Sequence, residues 1–210
     1  MRSLLVAVAL ALNLLGTPVM ATEEPPFTVR LTRGEFAVRD YPPLVVAEVS
    51  VTGGRQDAAG KGFRLLAGYI FGDNTAKQKI AMTAPVIQSP DGETIPMTAP
   101  VLQTGKDGTW VIRFIMPRGS TLGTLPRPNN PVVRLRALAA VRVAVVRFSG
   151  LARQDDVAAK TFALSRFVTA QRLQAVGPPA RAQYDPPWTL WFLRRNEIMI
   201  PLAFAAAVAK

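Results

Sequence analysis

Short segments rich in β-branched and aromatic residues recur along the chain, and several alternate apolar with polar positions. The clearest is 44–51, LVVAEVSV, which predicts a strand because β-branched side chains suit a pleated, half-buried surface. Gly, Asn and paired prolines separate these segments, as is typical of turns. By the same criteria we predict further strands at 27–31, 35–40, 110–116, 132–138 and 141–148.

Two segments follow the 3.6-residue period of a helix instead. The first predicted helix spans about 55–70, and its apolar face is formed by Ala59, Phe63, Leu66, Ala67 and Ile70. The second begins near Asp155, where acidic side chains favour a helix N-terminus, and runs to about Gln174. Its apolar face is formed by Val157, Thr161, Leu164 and Val168.

A five-residue repeat lies between the first helix and the next strand. The residues Met82-Thr83-Ala84-Pro85-Val86 recur at 97–101, and the turn sequence Ser89-Pro90-Asp91-Gly92 stands between the two copies. This arrangement predicts a β-hairpin. Because proline cannot donate to a ladder, we expect its arms to be edge strands or bulged. Near the C-terminus, 182–202 predicts two strands, with interruptions at 185–187 and near Asn196.

The order of these elements predicts an α+β fold. Each half of the chain reads strand, strand, helix, strand, strand, which is consistent with a duplicated β-β-α-β-β unit forming one antiparallel sheet under two helices. We expect a single domain over 22–202, followed by a C-terminal tail at 203–210. The sequence contains no Gly-rich phosphate loop of the P-loop or dinucleotide type.

The first 21 residues have the pattern of a signal peptide. Arg2 is followed by the apolar stretch Leu4–Leu15, and Val19-Met20-Ala21 fits a small-residue cleavage site. A retained membrane anchor is the alternative, but the stretch is shorter than the ~20 apolar residues that a span requires. We therefore predict that 1–21 is removed and that the protein is periplasmic or secreted.

Composition narrows the chemistry. The chain has 25 Lys and Arg against 14 Asp and Glu, and it has neither Cys nor His. This excludes disulfides, thiol nucleophiles and Ser-His-Asp catalysis. Export argues against nucleic acid as the partner of so basic a chain, and favours anionic lipid head groups or a small carboxylate ligand. The charge also has a simpler interpretation, which is that it keeps an apolar-rich chain soluble.

Several ordered segments resemble the SOUL haem-binding protein family. The resemblance extends from about Glu35 to Pro201, and it depends on the order and spacing of the motifs rather than on any one of them. The segments are Val38–Pro43, Gly62–Gly72, Lys79–Val86 with its repeat, Arg147–Gly150, Tyr184–Leu190 and Phe192–Glu197.

The resemblance implies a distorted antiparallel β-barrel with two helices, built from two pseudo-symmetric halves. It also implies binding of haem or a related porphyrin against an apolar surface near the first helix, with basic side chains at the propionates. Carried onto this sequence, the apolar candidates are Phe63, Leu66, Ala67, Ile70 and Met82. The cationic candidates are Lys61, Arg64 and Lys79.

The absence of His departs from those family members that are thought to ligate haem iron through histidine. Any haem cofactor here would be bound without His, either by packing and propionate pairing alone or with a Tyr, Met or Lys ligand. The candidate iron ligands are Tyr41, Tyr69, Tyr184, Met82, Met97, Met116 and Met199.

Three functions are therefore compatible with the sequence. The first is a periplasmic haem or tetrapyrrole carrier, buffer or scavenger without catalytic residues. The alternative is a module for lipophilic ligands or anionic membrane surfaces that has lost haem binding. An enzyme of tetrapyrrole conversion ranks last, because its acid–base groups would have to be residues such as Asp40 and Glu48, which show no functional spacing. Residues 194–197 are charged enough to serve a site, but we interpret them as a turn with surface ion pairs.

Overall fold

The computed structural model describes residues 23–90, 108–185 and 189–204. The strands in these residues are β1 Thr28–Arg33, β2 Phe36–Tyr41, β3 Leu44–Thr52, β4 Val86–Pro90, β5 Thr109–Ile115, β6 Arg134–Leu138, β7 Val141–Ser149, β8 Ala180–Gln183 and β9 Arg195–Leu202. The helices are α1 Arg55–Ile70 and α2 Gln154–Ala170, with a short 3-10 turn, Trp191–Leu193, before β9. No helix in the described ranges is long and apolar enough to span a membrane.

All nine strands belong to one antiparallel sheet, in the order β1-β2-β7-β9-β8-β4-β5-β3-β6. The sheet curls into a half-barrel and carries the two helices. The predicted α+β fold, a distorted barrel with two helices, is therefore confirmed.

The predicted internal symmetry is visible in the strand order. Strands β2, β3, β4 and β5 of the first half correspond to β6, β7, β8 and β9 of the second. Once β1 is left aside, replacing each strand by its counterpart gives the same order read from the opposite edge of the sheet. The first strand of each half pairs with the other half, β2 with β7 and β6 with β3. A central pairing of β4 with β8 joins the halves.

Each helix covers two strands of its own half. The α1 helix packs on β3 and β5, and α2 packs on β7 and β9. Because successive side chains of a strand point to opposite faces, alternate residues form these two cores. The α1 core includes Ala47, Val49, Leu66, Ile112 and Phe114, and the α2 core includes Ala144, Val146, Leu164, Ile198 and Ile200.

The other face of the sheet, here called the inner face, is also buried. Val145 and Met199 pack there with Tyr41, away from the helices. Arg39 and Glu197 are buried on the same face. The curl of the sheet thus produces a second interior, in which charged side chains must find partners.

Three local predictions are corrected. The strand β4 is central rather than an edge, because Pro85 precedes its first paired residue and Pro90 lies beyond the pairing with β8. The second arm of the predicted hairpin lies outside the described residues, as do 1–22 and 205–210.

Helix α2 ends at Ala170, not near 174. Asn196 lies inside β9, where its side chain donates to the Gly150 carbonyl, so the predicted interruption there is wrong.

Gly62 provides a test of the close approach of α1 to the sheet. A Cβ at this position would lie 2.4 Å from Cγ1 of Ile112. We expect Gly62→Ala to lower the free energy of unfolding by about 1–3 kcal/mol through overpacking. Gly68→Ala is the matched control, because its Cβ would approach nothing closer than 4.0 Å.

In the control, the gain in helix propensity should raise stability by about 0.5–1 kcal/mol. Urea midpoints measure both effects. Equal or reversed shifts for the two variants would contradict the packing described here.

Candidate functional site

The structure separates the residues that the sequence predicted for a site on α1. Leu66 and Ile70 are buried in the core against β3 and β5. At about 100° per residue, Phe63 and Ala67 lie on one flank of the helix, and Lys61 and Arg64 point to its outer side. Lys61 and Arg64 are exposed. The buried Leu66 and Ile70 are thus separated from the exposed cations, so the predicted residues do not all lie on one surface.

The flank with Phe63 borders the middle of the sheet. The Phe63 ring is 36% exposed and packs edge-on against Phe114, at 5.3 Å between ring centroids. Phe114 is paired with Val86 of β4. Lys79 and Met82 are exposed on the segment after α1, which is held to the helix by a 2.7 Å hydrogen bond from the Ile80 N–H to the Ile70 carbonyl.

Strands β4 and β8 lie between the two helices, since α1 packs on β3 and β5 and α2 on β7 and β9. Their register and alternation direct four side chains to the side that carries the helices. This surface, here called the inter-helix strip, consists of Val86, Gln88, Arg181 and Gln183, with the Phe63 flank of α1 beside it.

Polar atoms without partners are concentrated at this strip. Gln88 is paired with Arg181 across the strands, and its Nε2 donates to the Arg55 carbonyl at 2.8 Å. Three of their atoms are buried and have no hydrogen-bond partner: Nη1 of Arg55, Oε1 of Gln88 and Nε of Arg181. Buried polar groups are almost always paired in folded proteins, so these atoms mark a place where water or a polar ligand can bind.

The strip also carries charge that is not neutralised. Neither Arg55 nor Arg181 forms an ion pair with an acid among the described residues. Burial lowers the pKa of Arg55, and burial together with repulsion from Arg55 lowers the pKa of Arg181 to about 10. Arg55 is the first residue of α1, where the helix dipole adds positive potential. A carboxylate or phosphate is the group that this arrangement favours.

The sequence reasoning missed Arg55, Gln88 and Arg181. One signal was available, because a cation in the first turn of a helix opposes the helix dipole and is unfavourable without an anion nearby. The position of Arg181 gave no such signal, since it depends on the pairing of β8 with β4.

In a second polar cluster, on the inner face, the charges are paired, although the buried Nε of Arg39 has no hydrogen-bond partner. Glu197 is completely buried and accepts hydrogen bonds from Arg39 at 2.9 and 3.2 Å, from Arg195 at 3.0 and 3.2 Å, and from the Tyr184 hydroxyl at 2.7 Å. Arg195 also binds Glu24, in the segment before β1. The interpretation of 194–197 as a surface turn is therefore wrong, because Arg195–Glu197 begin β9 and the carboxylate lies inside.

We expect Glu197→Gln to lower the free energy of unfolding by about 3–5 kcal/mol, because it leaves the buried guanidinium of Arg39 without its counter-charge and removes one of the two acids that bind Arg195. Glu35→Gln is the control. Glu35 pairs with Lys160 near the surface, where its side chain is 41% exposed, and exposed pairs contribute less than about 1 kcal/mol. Denaturant unfolding measures both changes, and similar losses would show that the Glu197 cluster is not critical.

The two carboxylates considered for acid–base chemistry lie on opposite faces of the sheet. Asp40 alternates with Arg39 and shares the face of Val38 in the α2 core, whereas Glu48 alternates with core residues of β3 and lies on the inner face. Asp40 is bound by Arg30 and Arg142, and Glu48 by Arg113 and Arg136. These carboxylates act as ion-pair partners and do not form a catalytic pair with each other.

Asp40 makes the stability of the fold depend on pH in the acidic range. Its hydrogen bonds and ion pairs with Arg142 and Arg30 lower its pKa to about 2. The ionised form is thus favoured in the folded state, so its contribution of about 1–2 kcal/mol is complete above about pH 4 and is lost as the pH falls towards 2. We expect Asp40→Asn to be less stable than the native chain at pH 7 and equal to it near pH 2. Unfolding free energies over this range measure the difference, and a constant difference at all pH values would contradict it.

Most of the iron-ligand candidates are occupied by other contacts. Tyr41 is buried, the Tyr184 hydroxyl donates to Glu197, and the Tyr69 hydroxyl donates to the Pro126 carbonyl. Met116 and Met199 belong to the cores. Met97 lies outside the described residues. Of the candidates within the described ranges, Met82 has the exposed side chain, at 37%.

Two open clefts, of about 340 and 350 Å³, are lined in part by the segment before β1. Pro26 and Pro42 line both. None of the eight site residues predicted from the sequence lines either cleft, and the unpaired cations of the inter-helix strip are elsewhere. Over the described residues, no group of three or more acidic side chains could hold a metal ion.

Comparisons with solved structures define the class of fold. The C-terminal domain of EcmrR is similar over 80% of this chain and 96% of its own, with 12% identity and a TM-score of 0.58. An uncharacterized conserved protein from Listeria innocua matches 80% of this chain and 92% of its own, at 11% identity and a TM-score of 0.55. A hydrolase from Listeria innocua matches 83% and 94%, at 9% identity and a TM-score of 0.55. At these identities the likeness concerns the fold alone.

The family is shown by the sequence itself. The model of the SOUL heme-binding protein family matches residues 22–201, so this chain belongs to that family. A comparison with curated proteins gave no match. The family is described as heme-binding, which suggests haem or a related tetrapyrrole as the class of ligand.

Proposed function

We propose that this protein binds haem or a related tetrapyrrole at the inter-helix strip, with its carboxylates at Arg55 and Arg181 and its ring against the flank of Phe63 and Ala67. The observation that carries the proposal is the group of unpartnered buried atoms at Arg55, Gln88 and Arg181. The ring of Phe63, which is 36% exposed, packs on Phe114 opposite Val86 of the same strip, in a chain whose family is described as heme-binding.

The chemistry of the strip suits such a ligand. A tetrapyrrole with propionates combines a large flat apolar ring with two carboxylates, and Arg binds carboxylates through bidentate, charge-assisted hydrogen bonds. Partial burial strengthens these bonds, because less water competes for the guanidinium groups. The apolar ring would in turn cover Phe63, which is large and incompletely buried.

The residues present favour holding the ligand over reacting with it. Bound haem would supply an iron centre, and Met82 is the candidate ligand whose side chain is exposed. The remaining Tyr and Met candidates in the described ranges are tied up in the cores or in hydrogen bonds. Binding that depends on packing and charge is readily exchangeable, which suits a carrier, buffer or scavenger in the periplasm, where the predicted signal peptide would direct the chain.

The test is a titration of the protein with hemin, followed by its Soret absorption. We expect saturable binding that Arg55→Gln and Arg181→Gln each weaken by about 10- to 100-fold, the loss expected for one hydrogen bond to a charged group. Arg64→Gln is the matched control, because it removes a guanidinium from the exposed side of the same helix. It should change the affinity by less than about twofold.

Two outcomes would contradict the proposal. Absence of any saturable Soret change would exclude haem as the ligand. Weakening by Arg64→Gln equal to that by Arg55→Gln would instead support the outer face of α1, which the sequence alone had suggested. Protoporphyrin without iron, titrated in parallel, separates the contribution of the ring and carboxylates from that of the metal.

A further inference from the structure

Four consecutive large apolar residues are exposed before β9. Leu190, Trp191, Phe192 and Leu193 have 60%, 58%, 52% and 61% of their surface exposed. Large apolar side chains gain free energy when they leave water, so this much continuous apolar surface is costly to leave exposed. Leu151, which is 43% exposed, follows Gly150, and Gly150 is hydrogen-bonded to this segment.

Hydrogen bonds hold the segment in place. The Leu193 N–H donates to the Leu190 carbonyl at 2.9 Å, and Nε of Arg194 donates to the Thr189 carbonyl at 2.8 Å. The Gly150 N–H, at the end of β7, donates to the Arg194 carbonyl at 3.2 Å. The Trp191 and Phe192 rings pack edge-on against each other, at 5.6 Å between centroids. The apolar side chains are thus fixed on a short turn rather than folded back onto the sheet.

The size and composition of this surface favour a lipid bilayer over a protein partner. A large aromatic side chain presents roughly 150–250 Å² when fully exposed, so four residues at about half exposure offer roughly 400 Å². A stable protein interface requires about 800 Å² from each partner. Trp, Phe and Leu on a projecting turn are instead the residues that enter the interfacial region of a membrane.

The charge of the chain supports the same partner. Its formal net charge is +11, which attracts it to a surface of anionic phospholipids. From these observations we infer that Leu190–Leu193 insert into the interfacial region of an anionic phospholipid bilayer and dock the protein on it. The contribution of apolar insertion to binding is insensitive to salt, whereas the net positive charge increases the association rate and the affinity.

Fluorescence quenching by brominated lipids tests this inference in the full chain. Vesicles of phosphatidylcholine and phosphatidylglycerol carry bromine on the acyl chains, and the signal of Trp191 is the difference between the native chain and Trp191→Phe. This subtraction removes the contributions of Trp110 and Trp188. We expect Trp191 to be quenched by at least half, also at 0.5 M salt.

A pair of variants separates insertion from general apolar contact. Leu190→Ser with Phe192→Ser should reduce the quenching of Trp191 at least threefold. Phe162→Ser is the matched control, because Phe162 on α2 is 63% exposed and should leave the quenching unchanged. Residues 1–21 are present in every variant, so any membrane affinity of theirs is common to all.

Trp191 that stays unquenched while the protein is bound to the vesicles would overturn the inference, as would absence of binding. Equal losses in the double variant and in Phe162→Ser would also overturn it. Quenching that disappears entirely at 0.5 M salt would show attraction by charge without insertion, which contradicts the docking described here.

Discussion

The fold depends on ion pairs between strands of its two halves, in which an Arg of one half neutralises a carboxylate of the other. Strand β2 brings Arg39 to Glu197 of β9, and β6 brings Arg136 to Glu48 of β3. The Glu197 pair is the critical one, because this carboxylate is fully buried and an unpaired buried charge costs several kcal/mol. Strands β2, β8 and β9 must therefore assemble together, and curling of the sheet encloses the charges that this assembly has paired.

The same architecture leaves one place where charge remains unpaired. Each helix covers the strands of its own half, so the seam of β4 and β8 lies between the helices. The inner face satisfies Glu197 with several donors, whereas the inter-helix strip has Arg55 and Arg181 without an acidic partner among the described residues. An anionic ligand would therefore gain more from binding at the inter-helix strip, where the cations lack acidic partners, than at the inner face, where Glu197 is already paired.

Part of the candidate site could be predicted from the sequence. The helical period placed Phe63, Leu66 and Ile70 on one apolar face, and the boundaries 55–70 are those of α1. The pattern could not distinguish residues that fill the core from one that borders an open surface, because both are apolar. It also could not associate Arg55 with Arg181, which lie 126 positions apart and meet only through the pairing of β8 with β4.

Local patterns by themselves determined the strands, the two helices, the duplicated order and the family. These properties follow from side-chain periodicity and from motifs of a few residues, which need no knowledge of distant contacts. The tertiary structure alone decided that 195–197 begin a buried strand, that β4 is central, and that 190–193 stay exposed. The physical reason is that burial, charge pairing and exposure are properties of surfaces brought together by strand pairing, and residues far apart in the chain contribute to each of them.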